Sequence, residues 1–285
     1  MITNVLAAAD PPVDLHVSPA VGSGMNIGMA VAVVVVVVLL TTQAVRDRAW
    51  HWVVVIPACS LCGFLEPLFD ILGGTWYAAD TPLMADVMGR PIPLYIWLIY
   101  ASYLPLGFWL CYLVLKRGPV STKTMLTMWV GGVVGVVAFE RMFMIHVHLS
   151  VYYGDNPALF LGYPVYSVIQ NAALPILGAA LVMWAKERLP GARSLLLIPI
   201  VPGAFACLLI IQTWPTYVAL NSDTAPTVRY AVAVITVALN AGFCGSALFS
   251  KWMHDLQTRA TAPDHAAGPP RVHAGASGIT SPSKI

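Results

Sequence analysis

Charge is what this sequence holds least of. Only 10% of its 285 residues are Asp, Glu, Lys or Arg, while 58% are hydrophobic and mean hydropathy is +0.76; a soluble domain carries about 25% charged residues. So little charge cannot cover a water-facing surface, which excludes a soluble globular protein and a nucleic-acid partner. Several chemistries are missing too. There is no Walker loop, no GxSxG elbow, no HExxH pair, no aspartate-rich prenyl-diphosphate motif, and no Lys at mid-span in the seventh apolar run for a retinal Schiff base. Cysteine is scarce, at five residues. Cys59 and Cys62 form a single CxxC within an apolar run, without the second pair or the His that would complete a zinc set. They read as small packing residues.

What is present is apolar length. Lipid offers the backbone no partners, so runs of ~20 apolar residues must satisfy themselves as helices. Seven such spans are expected, at residues 25–43, 52–74, 92–115, 124–146, 157–185, 194–220 and 227–252. The fold class is therefore all-α, a polytopic seven-helix transmembrane bundle, placed as a multi-pass protein of the cell membrane. Pro164 and Pro175 in the fifth span, and Pro199, Pro202 and Pro215 in the sixth, are expected to kink or break these long helices and open cavities.

Orientation follows the Lys/Arg bias of short loops. Arg46, Arg48, Lys116, Arg117, Lys123, Lys186, Arg188, Arg193, Lys251 and Arg259 fall on one side, with Arg90 and Arg229 on the other. The richer side is expected to be cytoplasmic, with the N-terminus outside and the C-terminus inside. Residues 1–24 hold no Lys or Arg, lack the basic start of a cleavable signal peptide, and read as a short outer tail. Residues 25–255 form the membrane domain. Residues 256–285, rich in Ala, Gly, Pro and Ser, read as a disordered cytoplasmic tail.

Against this background the acids stand out. An ionisable side chain within a span costs ~2.5–3.5 kcal/mol on insertion scales and usually faces the bundle interior. At 1.5 Å per residue, Glu66 lies ~21 Å and Asp70 ~27 Å from the cytoplasmic end of the second span, and Glu140 ~24 Å along the fourth. The three share one layer in the outer third of the membrane. Glu66 and Asp70 are four apart and so lie on one helix face, with Pro67 between them as a possible break.

Other polar and aromatic groups reach the same depth: Arg141, His146 and His148 on the fourth span, Tyr95, Trp97, Tyr100 and Tyr103 on the third, and Gln212, Trp214 and Tyr217 on the sixth. Tyr163 and Tyr166 open the fifth span, with Gln170 and Asn171 deeper and Asn240 nearer the midplane. Trp76, Tyr77, Tyr152 and Tyr153 read as an interfacial belt. Gly131 and Gly135 have the GxxxG spacing that permits close helix approach.

The plain structural reading of the acids is a buried ion pair in which Arg141 neutralises Glu66 or Glu140. One Arg cannot serve three carboxyls, however. A carboxylic acid beside a carboxylate is the pairing that general acid–base catalysis uses. Glu66, Asp70 and Glu140 are thus the candidate catalytic residues. Arg141, His146, Tyr95, Trp97, Tyr100, Asn171, Gln212 and Trp214 are the candidate substrate contacts. His146 and His148 diverge on a helix and could bind a metal only if Asp70 or Glu140 joined them; no metal and no cofactor are expected. An aromatic-lined cavity with carboxyls suits proton-driven rearrangement of a lipophilic small molecule drawn from membrane lipid. There an acid protonates a hydroxyl, epoxide or alkene, ring faces stabilise the cation, and a carboxylate collects the proton.

The segment "FLEPLFDILGGTWY", followed after a short acidic loop by "GRPIPLYIWLIY", resembles the AveC-like spirocyclase family, multi-span actinobacterial proteins named for the avermectin spiroketal-forming enzyme. The likeness is most specific over residues 63–103. It implies closure of a dihydroxy-ketone polyketide to a spiroketal, in some members with later dehydration, without a cofactor. Glu66, Asp70, Gly89, Arg90, Pro91 and Pro93 lie on the resembling motif, with Glu66 taken as acid and Asp70 as base. Two other readings stay open: a membrane-integral terpene-type cyclase or isomerase, and a non-enzymatic transporter or binding protein for a lipophilic ligand.

Overall fold

Helix α1 (Pro19–Asp47) starts where Ser18 accepts a hydrogen bond from the Val21 amide (3.3 Å) and Pro19 pre-sets the first helical turn. Six more apolar helices follow in the computed structural model, which describes residues 10–261. They are α2 (His51–Gly73), α3 (Leu94–Leu115), α4 (Thr122–Ile145), α5 (Val165–Arg188), α6 (Gly191–Leu220) and α7 (Pro226–Leu248). Each is long and apolar enough to cross a bilayer. The protein is an all-α, multi-pass membrane protein with seven spans among the described residues.

The ends differ from those expected, for local reasons. The Ser18–Pro19 cap starts α1 at residue 19 rather than 25. The fifth helix begins at Val165, not 157, because Leu159–Phe160 pairs with Tyr163–Pro164 in a tight hairpin and Pro164 has no amide to continue a helix backwards. Residues 256–260, expected in the tail, belong to a helix α8 (Lys251–Ala260). Ser250 caps it by accepting from the Met253 amide (3.1 Å), and Met253 and Leu256 are buried against the bundle. The rest of both expected tails, residues 1–9 and 262–285, lies outside the described residues.

The prolines act as anticipated in α6, which opens with a 3₁₀ stretch (Gly191–Leu196), carries Pro202 and Pro215, and widens into a π-turn over Cys207–Ile211. Helix α5 is the post around which the rest pack: 67% of its most apolar stretch is buried, against 6% for α4. It touches α3, α4 and α7 closely. The approach to α4 is made by Gly132, whose missing Cβ would sit 2.8 Å from the Ala172 carbonyl oxygen. Gly131 and Gly135 face open space, so the expected GxxxG contact is not the one used. Although consecutive, α3 and α4 barely pack on each other and lean separately on α5.

Three two-stranded antiparallel ribbons cap the end away from the basic loops: β1 (Thr75–Tyr77) with β4 (Ser150–Tyr152), β2 (Leu83–Val87) with β3 (Arg90–Pro93), and β5 (Leu159–Phe160) with β6 (Tyr163–Pro164). The β1–β4 pairing sets Tyr77 opposite Ser150 and Thr75 opposite Tyr152. It ties the exit of α2 to the exit of α4. At the other end Asp47 accepts from Gln43 (2.7 Å), Tyr112 (2.8 Å) and Lys186 (2.7 Å), joining α1, α3 and α5.

Candidate functional site

The second half of α2 is built to place a carboxyl. Its helix tightens to 3₁₀ over Leu61–Leu65 and restarts at Glu66, where Pro67 occupies the first turn and lacks only an amide that has no partner there. Gly74 ends it in the left-handed region (φ +66°), its amide donating to the Asp70 carbonyl. A Cβ on Gly74 would lie 2.9 Å from the Tyr153 carbonyl oxygen, so only glycine fits the turn that sends the chain into β1.

Glu66 thereby points into a cavity of about 170 Å³ lined by α2, α3, α4, α5, α6 and the cap. Tyr77 and Tyr100 both donate to it: the Tyr77 hydroxyl to Oε1, and the Tyr100 hydroxyl to Oε2 at 2.5 Å. Both oxygens of one carboxyl are thus held by phenols, an arrangement that fixes its rotamer and suits a charge-bearing acceptor. Burial, followed by the neighbouring Glu66 and Asp70 carboxyls, pushes the Tyr77 phenol well up, so Tyr77 keeps the proton it donates.

Glu140 lines the same cavity from α4. It opens a π-turn (Glu140–Ile145) that finishes that helix, a distortion common at functional sites. Among the described residues it has no side-chain hydrogen bond or ion pair, so its carboxyl is free for whatever enters. Tyr103, Tyr152, Tyr163, Tyr166 and Tyr217 complete a phenol-rich wall, with Phe69, Phe139 and Phe205 as its apolar faces. Tyr152 is likewise kept protonated, by burial and then by Glu140. Its ring stands edge-on to Tyr163, with centroids 5.5 Å apart.

Behind the wall runs a layer of buried polar contacts. Asn171 donates to the Tyr163 hydroxyl (2.9 Å). Tyr166 donates to Asn156, which in turn donates to the Gly73 carbonyl (2.7 Å). Gln170 donates to Thr213 (2.7 Å) and accepts from Asn240 (2.9 Å), linking α5, α6 and α7. Such contacts hold the tyrosine rings in place, as rigid catalytic constellations require.

Of the candidate catalytic and substrate-contact residues, Glu66, Glu140, Tyr100 and Asn171 line the cavity, and so do Tyr103, Tyr163, Tyr166 and Tyr217, expected at the same depth. Asp70 and Tyr95 sit just outside its lining. Asp70 is 1% exposed with neither carboxyl oxygen hydrogen-bonded, in the last helical turn of α2, which β1 and β3 cover. Tyr95 is fully buried and donates to the Leu149 carbonyl (3.2 Å). Arg90, on the resembling motif, is buried in the cap, donating to the Tyr153 hydroxyl (2.7 Å) and lying over the Trp76 ring at 5.1 Å.

The remaining candidates are elsewhere. Arg141 and His146 are exposed, because the turn after Glu140 rotates them outward, and the Arg141 ion pair is absent among the described residues. Trp97 stacks edge-on with Phe64 (4.2 Å) outside the cavity. Trp214 is 51% exposed, and Gln212 meets Cys244 Sγ at 4.0 Å. No three His, Cys, Asp or Glu side chains gather as a metal set among the described residues.

Tyr77 and Tyr152, read as belt residues, instead line the cavity. Their strand pairing was invisible in hydropathy; the β-prone triplets TWY and SVY beside span ends are the signal that could have found it. Comparison of the chain with protein-family models, with curated proteins and with solved structures finds no match.

Proposed function

We propose that the protein is a membrane-embedded, cofactor-independent acid–base cyclase acting on a lipophilic, oxygenated small molecule, of the spirocyclase type that residues 63–103 resemble. The observation that carries this reading is the pair Glu66 and Glu140 on one phenol-lined cavity at membrane depth. The two carboxyls are held differently. Glu66 accepts from two phenols, whereas Glu140 meets no partner of its own among the described residues.

For a dihydroxy-ketone the roles follow from those hydrogen bonds. Glu140 as the acid gives its proton to the hydroxyl of a hemiketal, and the C–O bond breaks with loss of water to leave an oxocarbenium ion. The second hydroxyl of the substrate attacks that carbon while Glu66 takes its proton, closing the spiroketal. Electrons of the aromatic walls face the cation. Water released in the first step carries a proton from Glu66 back to Glu140, so the enzyme is restored without a cofactor. Asp70, one turn from Glu66, lies outside the cavity lining and takes no step in this scheme. The Lys/Arg bias of the loops supports an orientation with the carboxyl-bearing layer in the outer half of the cell membrane, the N-terminus outside and the C-terminus cytoplasmic.

The test is single-turnover conversion of a dihydroxy-ketone precursor by protein in lipid nanodiscs. Removing a general acid or base typically costs a factor of about 10²–10⁴. Glu66→Gln and Glu140→Gln should each show such a loss while the protein stays folded. Undiminished conversion in either would refute its role, and binding without conversion by the unaltered protein would favour a carrier.

A further inference from the structure

A second hollow lies deeper in the bundle and opens toward lipid. It holds about 370 Å³ between α3, α5 and α6, with Trp252 of α8 at its far end. Leu174, Leu177 and Leu181 make its floor, and no ionisable side chain lines it. Phe205 lines both hollows, packed edge-on against Tyr100 and Phe69 at 5.6 Å each.

The two hollows are in series along shared helix faces. On α5 the lining runs Ser167, Asn171, Leu174, Gly178 and Leu181, with steps of three and four residues that keep one face. On α3, Tyr100 and Leu104 line the first hollow and Phe108, one turn on, the second; on α6, Phe205 and Leu209 face the first, and Val201, Phe205 and Leu208 the second. On α5 the lining changes from the Ser167 hydroxyl and Asn171 amide to leucines, and on α3 from the Tyr100 hydroxyl to Phe108. Gly178 lets the Phe108 ring lie directly against α5, because a Cβ there would fall 2.1 Å from that ring.

Size points the same way. Ligand pockets span roughly 300–1,000 Å³. The first hollow, about 170 Å³, falls short of that range alone, whereas the two together fall within it.

We infer that the natural substrate is an amphiphile whose oxygenated head occupies the Glu66–Glu140 cavity and whose long hydrocarbon tail runs past Phe205 through the second hollow toward Trp184 and Trp252. The inference rests on the cavity being the reaction chamber and adds the class of molecule it takes. From Asn171 to Trp184 the track is about 20 Å long at helical rise. A hexyl chain stops near Phe205; a hexadecyl chain reaches the tryptophans.

The test uses full-length protein in phosphatidylcholine nanodiscs with hexanol and hexadecanol carrying a terminal diazirine, the photolabelled residues being mapped by mass spectrometry. The hexadecyl probe should label Leu181–Trp184, the α6 segment around Ala204 and Trp252 saturably, in competition with plain hexadecanol. The hexyl probe should label only around Phe205. In Ala204→Phe, which fills the lipid-facing side of the hollow, the deep labelling should fall about tenfold, in the range that forcing volume into a packed contact costs. Phe205→Trp, a separate block at the junction, should shift hexadecyl labelling out of the deep track. Labelling that rises linearly with probe, resists competition and ignores both substitutions would assign the hollow to bilayer acyl chains and overturn the inference. Unchanged conversion in Glu66→Gln alongside saturable deep labelling would remove the chemistry proposed for the chamber yet leave the tail site standing.

Discussion

Replacing Tyr100 by Phe removes one hydroxyl from the cavity wall and leaves its shape intact. That hydroxyl donates to Glu66 Oε2 at 2.5 Å, while Tyr77 holds the other oxygen. A hydrogen bond to a charged group is worth ~1.5–3 kcal/mol, or between about 10-fold and 150-fold in any step that needs the carboxylate in place. Tyr100→Phe should therefore slow single-turnover conversion by that factor. Affinity for the substrate head should change little, since the ring and its contact with Phe205 remain. The decisive comparison is a double-mutant cycle. Once Glu66→Gln has abolished the acceptor's role, adding Tyr100→Phe should cost little more, because the two act as one unit. If the double variant instead loses the product of the single effects, Tyr100 acts on the substrate independently, and the assignment of its hydroxyl to Glu66 fails.

Three further outcomes can be checked with the same protein. Gly74→Ala forces a side chain into the left-handed region, which costs ~1–2 kcal/mol, and against the Tyr153 carbonyl oxygen; thermal unfolding should show a clearly lowered midpoint and a loosened β1–β4 cap. Lys186→Met leaves Asp47 without its charged partner and should destabilise by ~1–3 kcal/mol, whereas Asp47→Asn with Lys186→Met should recover part of that, read in the same melts. Arg141→Gln and His146→Ala alter exposed side chains and should shift stability by no more than ~0.5 kcal/mol, with conversion unchanged; a large loss in either would mean that the α4 exit folds back over the cavity.

The spans and the depth of the acids were legible because both depend on one-dimensional quantities, apolar length and rise per residue. Counting 1.5 Å per residue brings Glu66 and Glu140 to one level, and the structure puts them on one cavity. Azimuth was harder to read. Four residues from Glu66, Asp70 keeps roughly the same side of the helix but lies one turn nearer the cap, where β1 and β3 close over it. Arg141 shares Glu140's depth and is turned about 100° away, so charge counting could not show that the two never meet. Gly131 and Gly135 fit a packing motif, yet the contact belongs to Gly132, since helix rotation was set by α5 and not by the motif.

The phenols expose the deeper reason. Hydropathy divides a chain like this into spans and loops and assigns chemistry to the spans, but the loop strands here supply part of the cavity wall. Tyr77 reaches Glu66 only because β1 pairs with β4, which brings together residues more than seventy positions apart in sequence. The same ribbon sets Tyr152 and Ser150 beside Glu140's helix exit. The membrane spans therefore provide the two carboxyls and one of the phenols on Glu66, Tyr100, and the cap provides the other, Tyr77. Cutting the ribbon without touching any cavity side chain, as Val151→Pro would by removing a strand amide, should release Tyr77 from Glu66. If Glu66 acts through that contact, conversion should fall about as far as in Tyr77→Phe while the seven helices, measured by circular dichroism, stay formed; full activity in a ribbon-broken protein would place the base elsewhere in the cavity.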